Sequence, residues 1–117
     1  MIQSEQLRAR TKRFALHIVG LFRSLPRTEE ARVLGKQLLR AGTAVGANYR
    51  AACRARSKAE FIAKLGVVVE ESDETVFWLE LLADSQIVPA ARVADLLTEA
   101  NELLAIFAAS QRTAKKR

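Results

Sequence analysis

Residues 54–61 read RARSKAEF, and this short stretch decides how the rest of the chain divides. Ser57 followed three residues later by Glu60 is the capping-box pattern. In that pattern the serine oxygen accepts from the glutamate amide, and the glutamate side chain reaches back to the serine amide. Apolar residues recur at helical spacing on both sides of it. The pattern therefore predicts a corner at about residues 55–57 between two long helices.

The helix before this corner is predicted over residues 28–56, with Thr28 as its N-cap. Its apolar seam comprises Leu34, Leu38, Ala41, Val45 and Ala52. Its basic ridge comprises Arg32, Lys36, Arg40, Arg50 and Arg54. Positions two residues apart lie about 200° around a helix, so the ridge is predicted to point away from the seam.

Three glycines, Gly35, Gly42 and Gly46, lie inside this helix. Each interior glycine costs up to about 1 kcal/mol relative to alanine, so three together need a compensating reason. They indicate the close approach of a neighbouring helix, either from the same chain or from a second copy. Gly42, Gly46 and the nearby Asn48 are therefore candidate contacts of an oligomer interface.

Three further helices are predicted at about residues 4–24, 57–84 and 89–111. Pro26, the polar run at 84–86 and Pro89 separate them. Long helices joined by short turns must be antiparallel neighbours. We therefore predict an all-α, antiparallel up-down four-helix bundle over residues 1–111, followed by a disordered basic tail at 112–117.

The net charge of +6 is unevenly distributed along the chain. Residues 1–56 hold twelve Lys or Arg against three Asp or Glu, whereas residues 57–111 hold three against ten. Residues 112–117 add four more cations. This asymmetry predicts a basic half that meets phosphates, an acidic half that meets a basic partner, or two halves that neutralise each other.

Two constellations carry these alternatives. The nucleic-acid-binding candidates are Arg32, Lys36, Arg40, Arg50, Arg54, Lys115, Lys116 and Arg117. Phosphate contacts need only positive charge at about the right spacing, so the ridge can equally be a solvated face. On the acidic side, Glu71, Glu74 and Trp78 share one helix face and form a candidate oligomer or partner interface. The same carboxylates can instead pair with arginines of the preceding helix.

Other chemistries find little support. The chain has one His and one Cys, too few for a His/Cys metal site, and no phosphate loop, so no metal or cofactor is predicted. Arg10 and His17 resemble the arginine and histidine pair of some helical ribonucleases, which leaves that activity as a minor alternative. No stretch approaches the roughly 20 apolar residues of a membrane span, so a cytoplasmic protein is predicted. No catalytic residues are predicted either.

Three segments resemble a known family. Residues 37–50, QLLRAGTAVGANYR, resemble the Q-L-x-R-A-x-x-S-I-x-x-N-x-x-E segment of the four-helix-bundle proteins known as ribosomal RNA intervening-sequence proteins. Residues 54–61 resemble the corner R-x-R-S-x-x-E-F, and residues 71–82, ESDETVFWLELL, resemble E-A-D-E-x-x-F-W-L-E-L-L. The chain departs from the family at residues 49–52, where I-A-E-G is frequent and YRAA stands here.

The resemblance implies a short antiparallel bundle that assembles side by side, typically as a pentamer. Relatives include the accessory protein of diversity-generating retroelements, which partners a reverse transcriptase and contacts nucleic acid. The leading hypothesis is therefore a non-enzymatic, homo-oligomeric adaptor that binds RNA or DNA non-specifically and assists a reverse transcriptase. The alternative hypothesis is a protein-interaction scaffold that does not bind nucleic acid.

Overall fold

The computed structural model describes residues 2–117, so Met1 of the predicted bundle lies outside the described residues. Four helices make up the described chain: α1 (Ile2–Arg23), α2 (Glu29–Cys53), α3 (Lys58–Asp84) and α4 (Ala90–Lys116). Each helix packs on the next in sequence, and α4 returns to α1 through sparser contacts. The bundle measures 46 × 22 × 20 Å. The predicted all-α up-down four-helix bundle is confirmed.

The core is formed by one apolar seam from each helix, at the spacing that the sequence indicates. Its largest fully buried side chains include Phe14, Ile18, Leu38, Leu65, Leu79, Leu82, Leu103 and Phe107. Across the centre, the ring of Tyr49 on α2 lies 4.9 Å from that of Phe107 on α4. The buried hydroxyls of Thr11, Ser72 and Thr75 donate to backbone carbonyls one turn earlier, so these polar groups cost little when buried.

Gly42 allows α1 to approach α2 closely within the same chain. A Cβ atom on Gly42 would lie 2.8 Å from Cγ1 of Ile18, whereas one on Gly46 would lie 3.4 Å from the backbone of Thr11, an ordinary van der Waals distance. Of the two alternatives predicted for these glycines, packing within the chain accounts for Gly42, which is buried. Asn48 donates from its side-chain amide to the carbonyl of Ala44, 2.9 Å away on the same helix.

The helix ends follow the predicted caps, with two differences. Thr28 and Ser57 accept hydrogen bonds from the amides of Ala31 and Glu60, at 3.3 and 3.0 Å. The reciprocal bond, in which the Ser57 amide would donate to the Glu60 carboxylate, does not occur among the described residues; Glu60 instead lines a surface groove. The helix α2 ends at Cys53 and not at residue 56. The amides of Arg54 and Ala55 donate to carbonyls three residues earlier, not four as in an α-helix.

The helix α4 extends to Lys116, beyond the predicted boundary at residue 111. The sequence predicts a disordered tail at residues 112–117, whereas in the structure α4 continues through Lys116. Alanine, lysine and arginine are strong helix formers, and cations at a helix C-terminus interact favourably with the helix dipole. Lys115, Lys116 and Arg117 are nevertheless exposed.

Candidate nucleic-acid interface

The basic ridge of α2 lies on the outside of the bundle. All five of its predicted members are exposed: Arg32, Lys36, Arg40, Arg50 and Arg54. They differ in what surrounds them, because α2 packs against α1 along one side and against α3 along the other. The ridge therefore divides into one residue engaged by α3, two at a groove beside α1, and two at the far end.

Arg40 is engaged by carboxylates of α3. Its guanidinium group donates to Glu71, with Nη1 3.0 Å from Oε2, and it also pairs with Glu74. The indole nitrogen of Trp78 donates to Oε1 of Glu74 over 3.0 Å. The bonds from Trp78 and Arg40 lower the pKa of Glu74, and the bond to Glu74 raises the pKa of Arg40. At this one position the ridge is neutralised within the chain.

The three residues of the predicted acidic interface all belong to this network. Glu71 and Glu74 hold α2 against α3 through Arg40, whereas Trp78 donates to Glu74 within α3. The adjacent Phe77 is the side chain that remains outside, with 53% of its surface exposed. Its ring stands edge-on to that of Trp78, with centroids 5.0 Å apart.

Arg50 and Arg54 line a groove between α1 and α2. The groove has a volume of about 650 Å³, and Arg8 and Lys12 of α1 line its opposite wall. Small residues complete its lining: Ala9, Ala15, Thr43, Gly46, Ala47 and Cys53. We call it the α1–α2 groove.

A second groove adjoins the first at the end of α2. It has a volume of about 500 Å³ and shares Ala47, Arg50 and Arg54 with the α1–α2 groove. Its remaining lining residues come from α2, the following corner and α3: Ala51, Arg56, Glu60 and Lys64. We call it the α2–α3 groove, and the two together the basic cleft.

The cleft is strongly positive. Among the described residues that line it, six carry a positive charge and one, Glu60, carries a negative charge. The six cations are Arg8, Lys12, Arg50, Arg54, Arg56 and Lys64. Within residues 2–117, none of these six lies within ion-pair distance of a carboxylate. The positive potential of the cleft is thus open to a ligand from outside.

The remaining predicted cations lie apart from the cleft or beside it. Arg32 and Lys36 belong to the first half of α2, and at 1.5 Å per residue Lys36 is about 21 Å along the axis from Arg50. Lys115, Lys116 and Arg117 lie at the same end of the bundle as the cleft, because α4 ends where α1 begins.

Four cations of the cleft are not among the residues predicted to bind nucleic acid: Arg8, Lys12, Arg56 and Lys64. Arg8 and Lys12 are four residues apart and therefore share a helix face, which is a detectable signal. Their partner across the groove could not be read from the sequence, because periodicity gives the face of a helix but not the neighbour it meets.

The structure also bears on the ribonuclease-like pair, on metal binding and on membrane spans. Arg10, half of the ribonuclease-like pair, is held by Glu99 and Glu102 of α4 at 2.6 and 2.8 Å, while His17 is exposed. Residues 2–117 contain no cluster of three or more His, Cys, Asp or Glu that could hold a metal ion. No described helix is both long and apolar enough to span a membrane.

The fold and the cleft define this chain as a small four-helix bundle with an unneutralised basic surface at one end. The family model of the 23S rRNA-intervening sequence protein matches residues 5–109, and the chain belongs to this family. It is similar to a protein of unknown function from the S23 ribosomal protein family of Bacteroides thetaiotaomicron VPI-5482. That crystal structure is 33% identical, with a TM-score of 0.83 over 89% of this chain and 96% of the other. The comparison with curated proteins gives no match.

Proposed function

We propose that this protein is a non-enzymatic adaptor that binds RNA or DNA through the basic cleft without reading the base sequence. The observation that carries the proposal is the convergence of six cations from α1, α2, α3 and the corner between the last two, none neutralised by a carboxylate of the described chain. The association of the family with intervening sequences of ribosomal RNA makes RNA the first ligand to test.

The expected binding is electrostatic. A polynucleotide releases condensed counterions when cations of a protein neutralise its phosphates, so affinity falls steeply with salt. If each of the six cations meets one phosphate, the log–log slope is about −4 for a single strand and about −5 for a duplex. Side chains of one sign at a surface groove contact phosphates regardless of the bases, which predicts little sequence preference.

The proposal is tested with Arg50→Glu/Arg54→Glu, which reverses the two charges common to both grooves. Both residues are exposed and unpaired among the described residues, so the fold should be retained. We expect the affinity for a short RNA to fall at least about tenfold, equivalent to about 1.4 kcal/mol. The single-strand salt slope should lose about 1.4 units, and fluorescence anisotropy across a salt series measures both effects.

The matched control is Arg32→Glu/Lys36→Glu. It makes the same change in net charge on the same helix but outside the cleft. We expect a clearly smaller loss of affinity than in the cleft variant. If the folded cleft variant binds RNA like the wild type, or if both variants lose affinity equally, the cleft is not the binding site.

We further propose that the adaptor works as a homo-oligomer, with the pentamer implied by the family resemblance as the expected form. Support comes from Phe77, a large aromatic side chain left half exposed on the outside of α3. Aromatic anchors of this kind dominate the energetics of protein interfaces. A reverse transcriptase, also implied by the resemblance, remains a predicted protein partner.

One observation favours the alternative of a scaffold that does not bind nucleic acid. Exposed carboxylates of Glu70, Asp73 and Glu80 surround Phe77, so this face of α3 suits a basic protein partner. The two functions differ in one measurement. A scaffold without nucleic-acid binding gives no salt-sensitive anisotropy change with any RNA or DNA, whereas the adaptor does.

A further inference from the structure

We propose that the α1–α2 groove is a track for a single-stranded polynucleotide and that a duplex cannot reach its floor. This inference rests on the proposed function and specifies its substrate class. It concerns the shape of the cleft, whereas the proposed function concerns its charge, so the two can fail separately.

The α1–α2 groove is narrow. Gly42 lets α2 pack close to α1, because a Cβ atom there would lie only 2.8 Å from Cγ1 of Ile18. Axes of packed helices lie about 8–10 Å apart, so the valley between them is narrow. A duplex is much wider than one helix, since its major groove alone measures about 12 Å and admits an α-helix. A single strand is the polynucleotide form that fits the valley.

The walls of the α1–α2 groove carry cations, and its lining between them is made of small residues. Arg8 and Lys12 stand on the α1 wall, and Arg50 and Arg54 stand on the α2 wall, so cations flank the groove on both sides. The lining between them consists of small side chains such as Ala9, which leave room for sugars and bases. A strand can therefore place its phosphates against either wall while its remaining atoms occupy the groove.

A ligand that occupies both grooves has to change direction. Ala47, Arg50 and Arg54 line both grooves, so such a ligand must turn as it crosses α2 at these residues. A single strand can follow such a turn, whereas a duplex has a persistence length of about 50 nm and bends only at a cost of several kcal/mol. The cations beyond the turn, Arg56 and Lys64, are thus accessible to the same flexible strand.

The composition of the lining also predicts how the strand is held. Among the described residues that line the two grooves there is no aromatic side chain. Stacking on aromatic residues contributes about 1–3 kcal/mol per base in many single-strand-binding proteins, and that contribution is missing here. We therefore expect affinity to depend on phosphates and salt, with little difference between homopolymers.

The test fills the groove without changing its charge. Ala9 and Ala47 are exposed, lie on opposite walls and can each accept a leucine on a helix surface. For Ala9→Leu/Ala47→Leu we expect the affinity for single-stranded RNA to fall at least about tenfold. The affinity for a duplex RNA of equal length, which contacts only the outer cations, should stay within about twofold.

Ala94→Leu/Ala105→Leu is the control, because both alanines are exposed on α4 and outside the cleft. It should bind both RNAs like the wild type, and circular dichroism should show intact helices in both variants. Unchanged single-strand binding by the folded groove variant, or a parallel loss for the duplex, would overturn the groove inference alone. Absence of any salt-sensitive binding by the wild type would overturn the proposed function as well.

Discussion

Arg40 and Arg50 show that one residue type on one helix can have two different roles. Both are exposed arginines of α2 and both belong to the predicted basic ridge. Arg40 faces two glutamates of α3, and its charge is compensated. Arg50 faces alanines, glycine and further cations, so its charge is not compensated. The difference comes from the neighbouring helix and not from α2 itself.

A second ion-pair network joins α1 and α4, the adjacent helices with the sparsest contacts. Arg10 of α1 forms a two-pronged pair with Glu99 of α4, with Nε–Oε2 and Nη2–Oε1 distances of 2.7 and 2.6 Å. The bonds from Arg10 lower the pKa of Glu99 below its ordinary value of 4.5. A carboxyl group that binds its proton more weakly in the folded state stabilises the fold above its unfolded pKa.

The resulting prediction concerns acid stability. As the pH falls below about 4.5, the unfolded chain takes up a proton at Glu99 before the folded chain does, so the free energy of unfolding decreases. Glu99→Gln removes this contribution, and the variant should lose less stability than the wild type between about pH 6 and about pH 3.5. Urea unfolding at the two pH values measures the difference.

Glu70→Gln is the control for this experiment. Glu70 is exposed near the middle of α3 and, within the described chain, forms no ion pair. Its acid sensitivity should match that of the wild type. An identical acid loss in Glu99→Gln and in the wild type would show that the Arg10–Glu99 pair does not contribute to stability.

At the scale of elements, the chain is divided mainly by its helix caps. Ser57 adopts extended backbone angles of φ −151° and ψ 162° and accepts a bond from the Glu60 amide. Because the cap satisfies an amide that has no partner within the helix, it fixes the residue at which α3 begins. This position is also where the α2–α3 groove begins, since Arg56 and Glu60 both line it.

Ser57→Ala should therefore destabilise the bundle by about 1 kcal/mol, within the range of roughly 0.5–2 kcal/mol for N-cap removal. The loss of the acceptor leaves the Glu60 amide to water, and the start of α3 frays. Equilibrium unfolding in denaturant provides the measurement. Ser57→Asp keeps an acceptor oxygen and should unfold close to the wild type. Equal destabilisation by both substitutions would argue against the cap.

On the scale of the whole molecule, the antiparallel order gathers charge at one end. The start of α1, the end of α2, the start of α3 and the end of α4 all lie there. Arg8, Arg54 and Lys64 are far apart in sequence but meet around the cleft, and Lys116 lies at the same end. The acidic half of the sequence does not cancel the charge of the cleft, because its ion pairs engage Arg40 and Arg10, and neither of these lines the cleft.

Self-association is the corresponding prediction for the whole molecule. If Phe77 anchors contacts between copies, Phe77→Ser should reduce the mass in solution from the oligomer toward the monomer, as measured by light scattering. Leu16→Ser is the control, since Leu16 is 62% exposed on α1 and should leave the mass unchanged. A monomeric wild type would show that the proposed oligomer is wrong, and an oligomeric Phe77→Ser would place its interface elsewhere.

The sequence alone determined the four helices, their order and their buried seams. Helical periodicity and caps depend on residues within about one turn, and a seam such as Leu34 to Ala52 can be read without knowing its neighbours. The same periodicity predicts that the basic ridge of α2 faces outward. All five of its residues are exposed in the structure.

The tertiary structure alone decided which charges remain available. A pair such as Arg40–Glu71 spans 31 residues, and whether it forms depends on the rotation and axial offset of α2 against α3. The cleft likewise needs Arg8 of α1 opposite Arg54 of α2, and this placement depends on how α1 packs against α2. Electrostatic interactions act between side chains within a few ångströms in space, and helical periodicity carries no information about those distances.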